Sequence, residues 1–499
     1  MSARAVGSRV WTLINWKVIF CTLLHMIGRQ KELEILRKAV DSDKPELIAV
    51  IGRRRVGKTF LVRSFFGDQI DFELVGLKAG TREQQLRNFT YSLKEAQKVR
   101  GPIESYPVDW LDAFHQLKEY LDSLGDTGRK RVIFIDELPW VATAKSDFLT
   151  GFGYFWNSYA SRQKIVVVIC GSATAWMIKK IVNNRGGLHN RVTRKIWLQP
   201  FSLSETEAYF KSRNISFTRY QLLQMYMAMG GIPHYLDQVE GGKTAIQNID
   251  DTCFHPQGFL RTEFSNLYSS LFNRPERYEA IIGALASSWK GLNRREILEN
   301  SGLKDGGGIS TILAELEQSG FITSYVPFEK KKKDALYRLT DNYSLFYLKF
   351  IKDLPANVAD NWQSLSQTQS WKSWSGYAFE NICLQHIDQI KAKLGISGVH
   401  TRQFSFWMKS TDGTPGLQID LLIDRMDDAI SICEIKYLND QMSITKALAE
   451  QLQSKRDLFQ RYSKTRKHLF LTLITTYGIA PNQHSLGLID QVIVMDDLF

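Results

Sequence analysis

Glu46-Leu47-Ile48-Ala49-Val50-Ile51 runs straight into Gly52-Arg53-Arg54-Arg55-Val56-Gly57-Lys58-Thr59. The first six residues read as a short buried strand, and Lys58 to Phe66 as a helix. Between them lies the pattern G-x-x-x-x-G-K-[ST], whose glycines let backbone N–H groups curl around phosphate oxygens. The helix N-terminus adds a favourable dipole for an anion. Lys58 can then reach β/γ-phosphates and the Thr59 hydroxyl can hold Mg²⁺. The phosphate-contacting stretch is read as Gly52, Arg53, Arg54, Arg55, Val56, Gly57, Lys58, Thr59 and Phe60.

Moving outward, Val132-Ile133-Phe134-Ile135-Asp136-Glu137 is a second apolar strand, ending in two carboxylates. At the C-terminal end of a buried strand, Asp136 can bind Mg²⁺ and Glu137 can polarise an attacking water. A third apolar run, Ile165 to Cys170, ends in Gly171-Ser172. A hydroxyl there can sense a γ-phosphate, and a simple strand-ending turn gives the same letters. Buried strands separated by helices predict a parallel sheet covered on both faces, an α/β domain.

These residues resemble the archaeal-type P-loop ATPases related to the AAA and signalling-switch (STAND) ATPases, over residues 27 to about 265. Ile27-Gly28-Arg29-Gln30-Lys31-Glu32-Leu33 looks like that family's opening, which favours Met26 as initiator. Asp136-Glu137-Leu138-Pro139-Trp140 is similar to its second nucleotide motif, Gly171-Ser172 to its first sensor, and Gly230-Gly231-Ile232-Pro233-His234-Tyr235-Leu236 to its lid segment. The resemblance implies ATP as ligand, with Ser172 and Arg191 near the γ-phosphate, Arg191 acting within one molecule or across subunits of a homo-oligomer. Arg191 also lies in a basic cluster with Arg185, Arg194 and Lys195, and reads equally as a solvated cation.

Past residue 265 the character changes to short helices. Arg294 to Asn300, Gly306 to Ser319 and Phe321 to Arg338 read as helix, turn, helix and β-wing, resembling a winged helix–turn–helix over 266–350. The second helix carries Glu315 and Glu317, poor for reading bases, whereas Lys330 to Lys333 can meet DNA phosphates or simply form a solvated hairpin tip. Residues 351–375 read as a linker, with a helix starting at Gly376.

The last part, 376–499, reads as a second α/β domain. Gln418-Ile419-Asp420 lies on one strand and Glu434-Ile435-Lys436 on the next, and the period-2 rule puts Glu434 and Lys436 on one face. Paired strands bring Asp420, Glu434 and Lys436 together. Two carboxylates there bind Mg²⁺ or Mn²⁺, and Lys436 neutralises charge on a phosphodiester. Glu380, on the preceding helix, is a further candidate ligand. The set resembles the PD-(D/E)XK restriction-endonuclease-like fold over residues 376 to 478, in a domain of unknown function that accompanies this ATPase class. Gln418-Ile419 departs from the acidic or proline residues of some members, which lowers the expected metal affinity.

Composition bounds the rest. Lys plus Arg total 64 against 52 Asp plus Glu, and the net +12 suits a polyanionic partner such as DNA. Cys21, Cys170, Cys253, Cys383 and Cys433 form no close pair, which excludes a disulfide framework or zinc motif and suits a reduced, cytoplasmic setting. Residues 1–26 read as an N-terminal extension: Val10 to Leu24 is apolar, but Asn15 and Lys17 interrupt it, so no membrane span is expected. The reading that unites these features is an ATP-hydrolysing protein coupling nucleotide state to a nuclease-like domain acting on DNA. The alternative is a nucleotide-driven switch whose C-terminal domain binds DNA or a protein partner without cleavage.

Overall fold

The computed structural model describes residues 26–103, 105–184, 186–354, 362–408, 410 and 416–499. The extension up to residue 25, Arg185, and residues 355–361 of the expected linker lie outside the described residues. The chain divides into two compact units, Met1–Pro200 and Phe201–Phe499.

In the first unit β1 (Glu46–Ile51), β2 (Ile70–Val75), β3 (Arg131–Asp136), β4 (Ile165–Gly171) and β5 (Arg194–Trp197) form one sheet. All pairings are parallel, in the order β2-β3-β4-β1-β5. Every residue of β1 and β4 is buried, which is why both read as unbroken apolar runs. The sheet's edges escaped the sequence reading for the complementary reason. β2 buries only Phe72 and Leu74, and four-residue β5 buries only Ile196. The helices Arg82–Gln97, Trp110–Ser123 and Phe148–Ser158 supply an aromatic core of Phe89, Trp110, Phe114, Phe148 and Phe152 against the sheet. Trp110 and Phe148 meet edge to face at 4.6 Å.

The second unit contains the helices Arg294–Ser301 and Gly307–Gln318, then the antiparallel hairpin β6 (Ile322–Tyr325) and β7 (Leu336–Leu339). Glu315 accepts from Tyr278, and Glu317 accepts from the Ser324 N–H at 2.9 Å, so both acids of the second helix serve internal contacts. After the helix Gln369–Gln385 come β8 (Thr401–Met408), β9 (Leu417–Arg425) and β10 (Ala429–Lys436), with β9 in the middle and antiparallel to both neighbours. The short strands β11 (Met442–Ser443) and β13 (Ile479–Ala480) pair with each other. The helix Lys446–Ser463 leads to β12 (His468–Thr475) and β14 (Gln491–Val494), which extend the sheet in parallel, giving the order β14-β12-β10-β9-β8.

Two boundaries differ from expectation. The helix placed at Gly376 starts inside the expected 351–375 linker, at Gln369, with the Thr368 hydroxyl accepting from the Trp371 N–H. Trp371, Trp374, Ala378, Phe379 and Ile382 form one buried stripe at helical spacing, and Trp371 meets buried Trp362 at 5.0 Å. Tryptophans that look like turn decoration in the sequence are core. Residues 201–265, expected within the ATPase domain of 27–265 and containing the lid segment Gly230 to Leu236, fall in the second unit. There the Leu203 N–H donates to His386 Nε2 at 3.1 Å, and Tyr226 meets the same ring edge-on. Contacts this distant in sequence leave no local pattern.

Candidate functional site

Parallel strands deliver their C-terminal ends to one sheet edge, and there β1, β3 and β4 present Gly52, Asp136 and Ser172. The loop after β1 needs its glycines. A Cβ on Gly52 would lie 2.4 Å from the Leu198 carbonyl oxygen, and Gly57 has φ 91°. Arg55 also takes a left-handed backbone, at φ 71°.

Lys58 is 6% exposed and donates from Nζ to the Arg53 carbonyl at 3.0 Å. Burial pushes its ammonium below the ordinary lysine range, against the pull of nearby Glu137 and Asp136. The ammonium therefore spans the curled loop where a phosphate would sit. The Thr59 hydroxyl donates to Asp136 Oδ2 at 2.6 Å, so two oxygen donors meet at one point. That donor set fits Mg²⁺. Glu137, in left-handed backbone at φ 47°, accepts from the Ser172 hydroxyl at 2.9 Å and its N–H at 3.2 Å.

Thus Lys58, Thr59, Asp136, Glu137 and Ser172 come together. Phe60 is 63% exposed on the helix surface, and Arg191 is exposed, its N–H donating to the Leu188 carbonyl. No described contact brings Arg191 to the group. Two contributors went unread. Arg29 is 6% exposed and donates to the Val56 carbonyl at 3.3 Å, bracing the loop from the opening segment. Cys170, buried, donates to Asp136 Oδ1 at 2.6 Å and fixes that carboxylate's second oxygen. An arginine in a short opening motif and a cysteine ending a buried strand are the only signals the sequence offers.

In the second unit β9 and β10 pair with Leu421 opposite Cys433, which brings Asp420 beside Ile435, whose N–H donates to Asp420 Oδ2 at 3.0 Å. Lys436 and Lys455 each place Nζ 2.7 Å from a different oxygen of Glu434. Arg338 donates to Glu380 Oε1 at 3.0 Å. Burial pushes the Glu380 carboxyl up to about 7, against Arg338, and the Asp420 charge adds to the rise. Burial and the Glu434 charge raise Asp420 as well. Burial alone would raise Glu434 too, but Lys436 and Lys455 outweigh it and hold the group below the ordinary range.

The four expected residues Glu380, Asp420, Glu434 and Lys436 therefore share one electrostatic neighbourhood. Each carboxylate already has a partner on at least one oxygen, however. Among the described residues no three His, Cys, Asp or Glu side chains come together to hold a metal ion. As placed, the expected Mg²⁺ or Mn²⁺ set of Glu380, Asp420 and Glu434 does not fit a divalent cation: two ammonium groups hold Glu434, a guanidinium holds Glu380, and a backbone N–H engages Asp420. Lys455 and Arg338 were not legible as members of this group. Among the described residues no helix is long and apolar enough to cross a membrane.

Residues 26–239 match the family model of an ATPase domain predominantly from Archaea. An uncharacterized protein of Methanocaldococcus jannaschii is 23% identical over 415 residues, covering 82% of this chain and 87% of that protein. Among solved structures, the Walker-type ATPase of Pyrococcus abyssi overlaps with TM-score 0.48 and 16% identity, over 65% of this chain and 96% of that one. The ORC2 protein of Aeropyrum pernix overlaps with TM-score 0.40 and 13% identity, over 72% and 96%.

Proposed function

We propose that residues 26–239, which match the model of an ATPase domain predominantly from Archaea, bind and hydrolyse ATP and thereby control a DNA-acting C-terminal unit. The carrying observation is the convergence of Lys58, Thr59, Asp136, Glu137 and Ser172 at one sheet edge. Lys58 offers a buried positive charge to the β/γ-phosphates, worth more there than in water. Mg²⁺, held by Thr59 and Asp136, supplies charge neutralisation on the phosphates. Glu137 accepts a proton from, or orients, the attacking water, and Ser172 holds its carboxyl in place.

For the C-terminal unit, the order of one helix, three antiparallel strands, a second helix and a parallel strand supports a nuclease-like reading. So does the gathering of Glu380, Asp420, Glu434 and Lys436. In it Lys436 stabilises charge on the phosphodiester. The engaged carboxylates favour a second reading, a nucleotide-driven switch that holds DNA or a protein without cutting. The helix pair and the β6–β7 hairpin fit a winged helix whose lysines meet DNA phosphates.

The deciding experiment is a cleavage assay on single- and double-stranded DNA with Mg²⁺ or Mn²⁺, with and without ATP. Under the nuclease reading Asp420→Ala abolishes cleavage and leaves ATP hydrolysis intact. If wild type cuts under no condition while DNA binding survives Asp420→Ala, the switch reading stands alone.

A further inference from the structure

The chain leaves the first unit from beside the phosphate loop. The Leu198 N–H donates to the Ile51 carbonyl at 2.7 Å, and the Leu198 carbonyl oxygen is what leaves no room for a Cβ at Gly52. Gln199 and Pro200 follow, and Pro200 fixes its own φ and holds Gln199 extended, so this connection has little slack. Phe201 then opens the second unit with both of its backbone groups taken. Its N–H donates to the Gly231 carbonyl at 2.7 Å, and its carbonyl accepts from the Tyr226 hydroxyl at 2.7 Å. Tyr226 lies on the helix Arg219–Met229, most of which is buried. A helix packed in that way shifts as a body rather than deforming, because its surroundings are close-packed.

The other end of that helix carries Tyr220, about 9 Å along the axis from Tyr226. The Tyr220 ring stacks on Tyr437 with centroids 5.7 Å apart and planes 4° from parallel, and its hydroxyl donates to Asn439 Oδ1 at 2.7 Å. Tyr477 stacks on the same Tyr220 ring at 5.7 Å. Tyr437 directly follows Lys436 at the end of β10, and its ring meets Phe379, the residue before Glu380, at 5.7 Å. The helix that grips Phe201 therefore also grips the backbone next to Lys436, and through Tyr437 the neighbour of Glu380. Stacked rings have a preferred offset, and the hydroxyl adds a direction, so the pair transmits position as well as contact.

We propose that the helix Arg219–Met229 is a lever, with Tyr226 as its input and Tyr220 as its output, that sets the end of β10 according to whether the phosphate loop holds ATP. This rests on the reading of ATP as the controller of the C-terminal unit, and it names the contact that carries the control. A phosphate seated in the loop fixes Gly52 and with it Leu198. The short connection through Gln199 and Pro200 passes that displacement to Phe201, and the helix carries it from Tyr226 to Tyr220. Tyr437 receives it one residue from Lys436, whose ammonium lies 2.7 Å from Glu434. Tyr220 is thus a positioning residue, touching neither the phosphate loop nor the acidic group and acting on the latter through Tyr437.

The test is hydrogen exchange on the full chain, followed by mass spectrometry, with and without Mg²⁺ and a slowly hydrolysed ATP analogue. Two stretches are read together: Gly52 to Phe60, which reports nucleotide, and Lys436 to Asn439, which reports the lever. In wild type the analogue should slow exchange in the first stretch and change it by about fivefold or more in the second, the lower end of ordinary coupling between sites. Tyr220→Ala should keep the first response and lose the second. Tyr220→Leu, which keeps apolar volume at the position, should do the same and covers the case in which the alanine variant does not fold. Tyr220→Phe keeps the ring and should retain both responses, an outcome that loss of packing alone does not give. If the first stretch responds in wild type and the second does not, or if the second still responds in both Tyr220→Ala and Tyr220→Leu, the lever is overturned and the ATP reading stands. If neither stretch responds to the analogue, the ATP reading fails and takes the lever with it.

Discussion

At the end of β3 and again at the end of β10, this chain assembles a lysine, an aspartate and a glutamate. In the first group Lys58 donates to a backbone carbonyl, and the carboxylates accept from a hydroxyl of Thr59, a thiol of Cys170 and a hydroxyl of Ser172. In the second group Glu434 accepts from two ammonium ions and Glu380 from a guanidinium. The residue types are alike and the consequences opposite. Neutral partners orient a charge without cancelling it, so the first group faces a ligand with its charges in hand. Cationic partners cancel it, so the second group is electrostatically closed.

If that contrast is right, substitutions at the first group should act on chemistry directly. Glu137→Gln keeps the shape and removes the charge, and should slow ATP hydrolysis by about a hundredfold or more at saturating ATP. Lys58→Ala should weaken ATP binding by about a hundredfold, the scale of a charge-assisted bond left unmade. Calorimetry on both variants separates the two effects. Equal ATP affinity in wild type and Lys58→Ala would sink the open-site description.

The hairpin tip is exposed, so its contribution should be smaller and governed by salt. Replacing Lys330 to Lys333 by alanine should lower the slope of log affinity for duplex DNA against log salt by about 1 for each lysine that meets a phosphate. An unchanged slope in the quadruple variant would mark the tip as a solvated turn.

The smallest effect expected concerns His386. Burial holds its ring below the ordinary histidine value, and its neutral form donates from Nδ1 to the Ile382 carbonyl while Nε2 accepts from Leu203. A depressed value means folding favours the neutral ring. The stability it contributes is present above the ordinary value near 6.5 and is lost as pH falls through the lower folded value. Hydrogen exchange at the Leu203 amide, corrected for its intrinsic pH dependence, should lose about 1 kcal/mol of protection below that value. Exchange that ignores pH across the window would remove His386 from this role.

What the sequence disclosed follows how local each feature is. The phosphate loop was legible because strand, loop and helix are contiguous, and each residue has its role set by near neighbours. Glu434 and Lys436 were legible through strand alternation, and Asp420 because β9 and β10 are joined by a tight connection. Lys455 lies 21 residues from Glu434, and Arg338 lies 42 from Glu380. Neither distance is a period of any element, so only the fold could reveal them. No described contact brings Arg191 to the phosphate site within this chain, and a basic cluster by itself specifies no partner. Trp371 and Trp374 fell inside the expected 351–375 linker because a helix rich in polar residues on one face hides its stripe.

The family match runs to residue 239, yet the compact units divide between Pro200 and Phe201. Homology and cohesion therefore draw different borders on the same chain. The helix Arg219–Met229 shows the result, since Leu222, Leu223, Met225, Tyr226, Met227, Ala228 and Met229 are all buried. A helix that buries so much of its circumference is stable only inside a body that surrounds it. A fragment trimmed to the homology border would strip away His386 and the other partners supplied from beyond residue 239, leaving that helix as raw adhesive surface. For anyone dissecting the molecule, the place to cut is set by where contacts thin out and not by where resemblance ends.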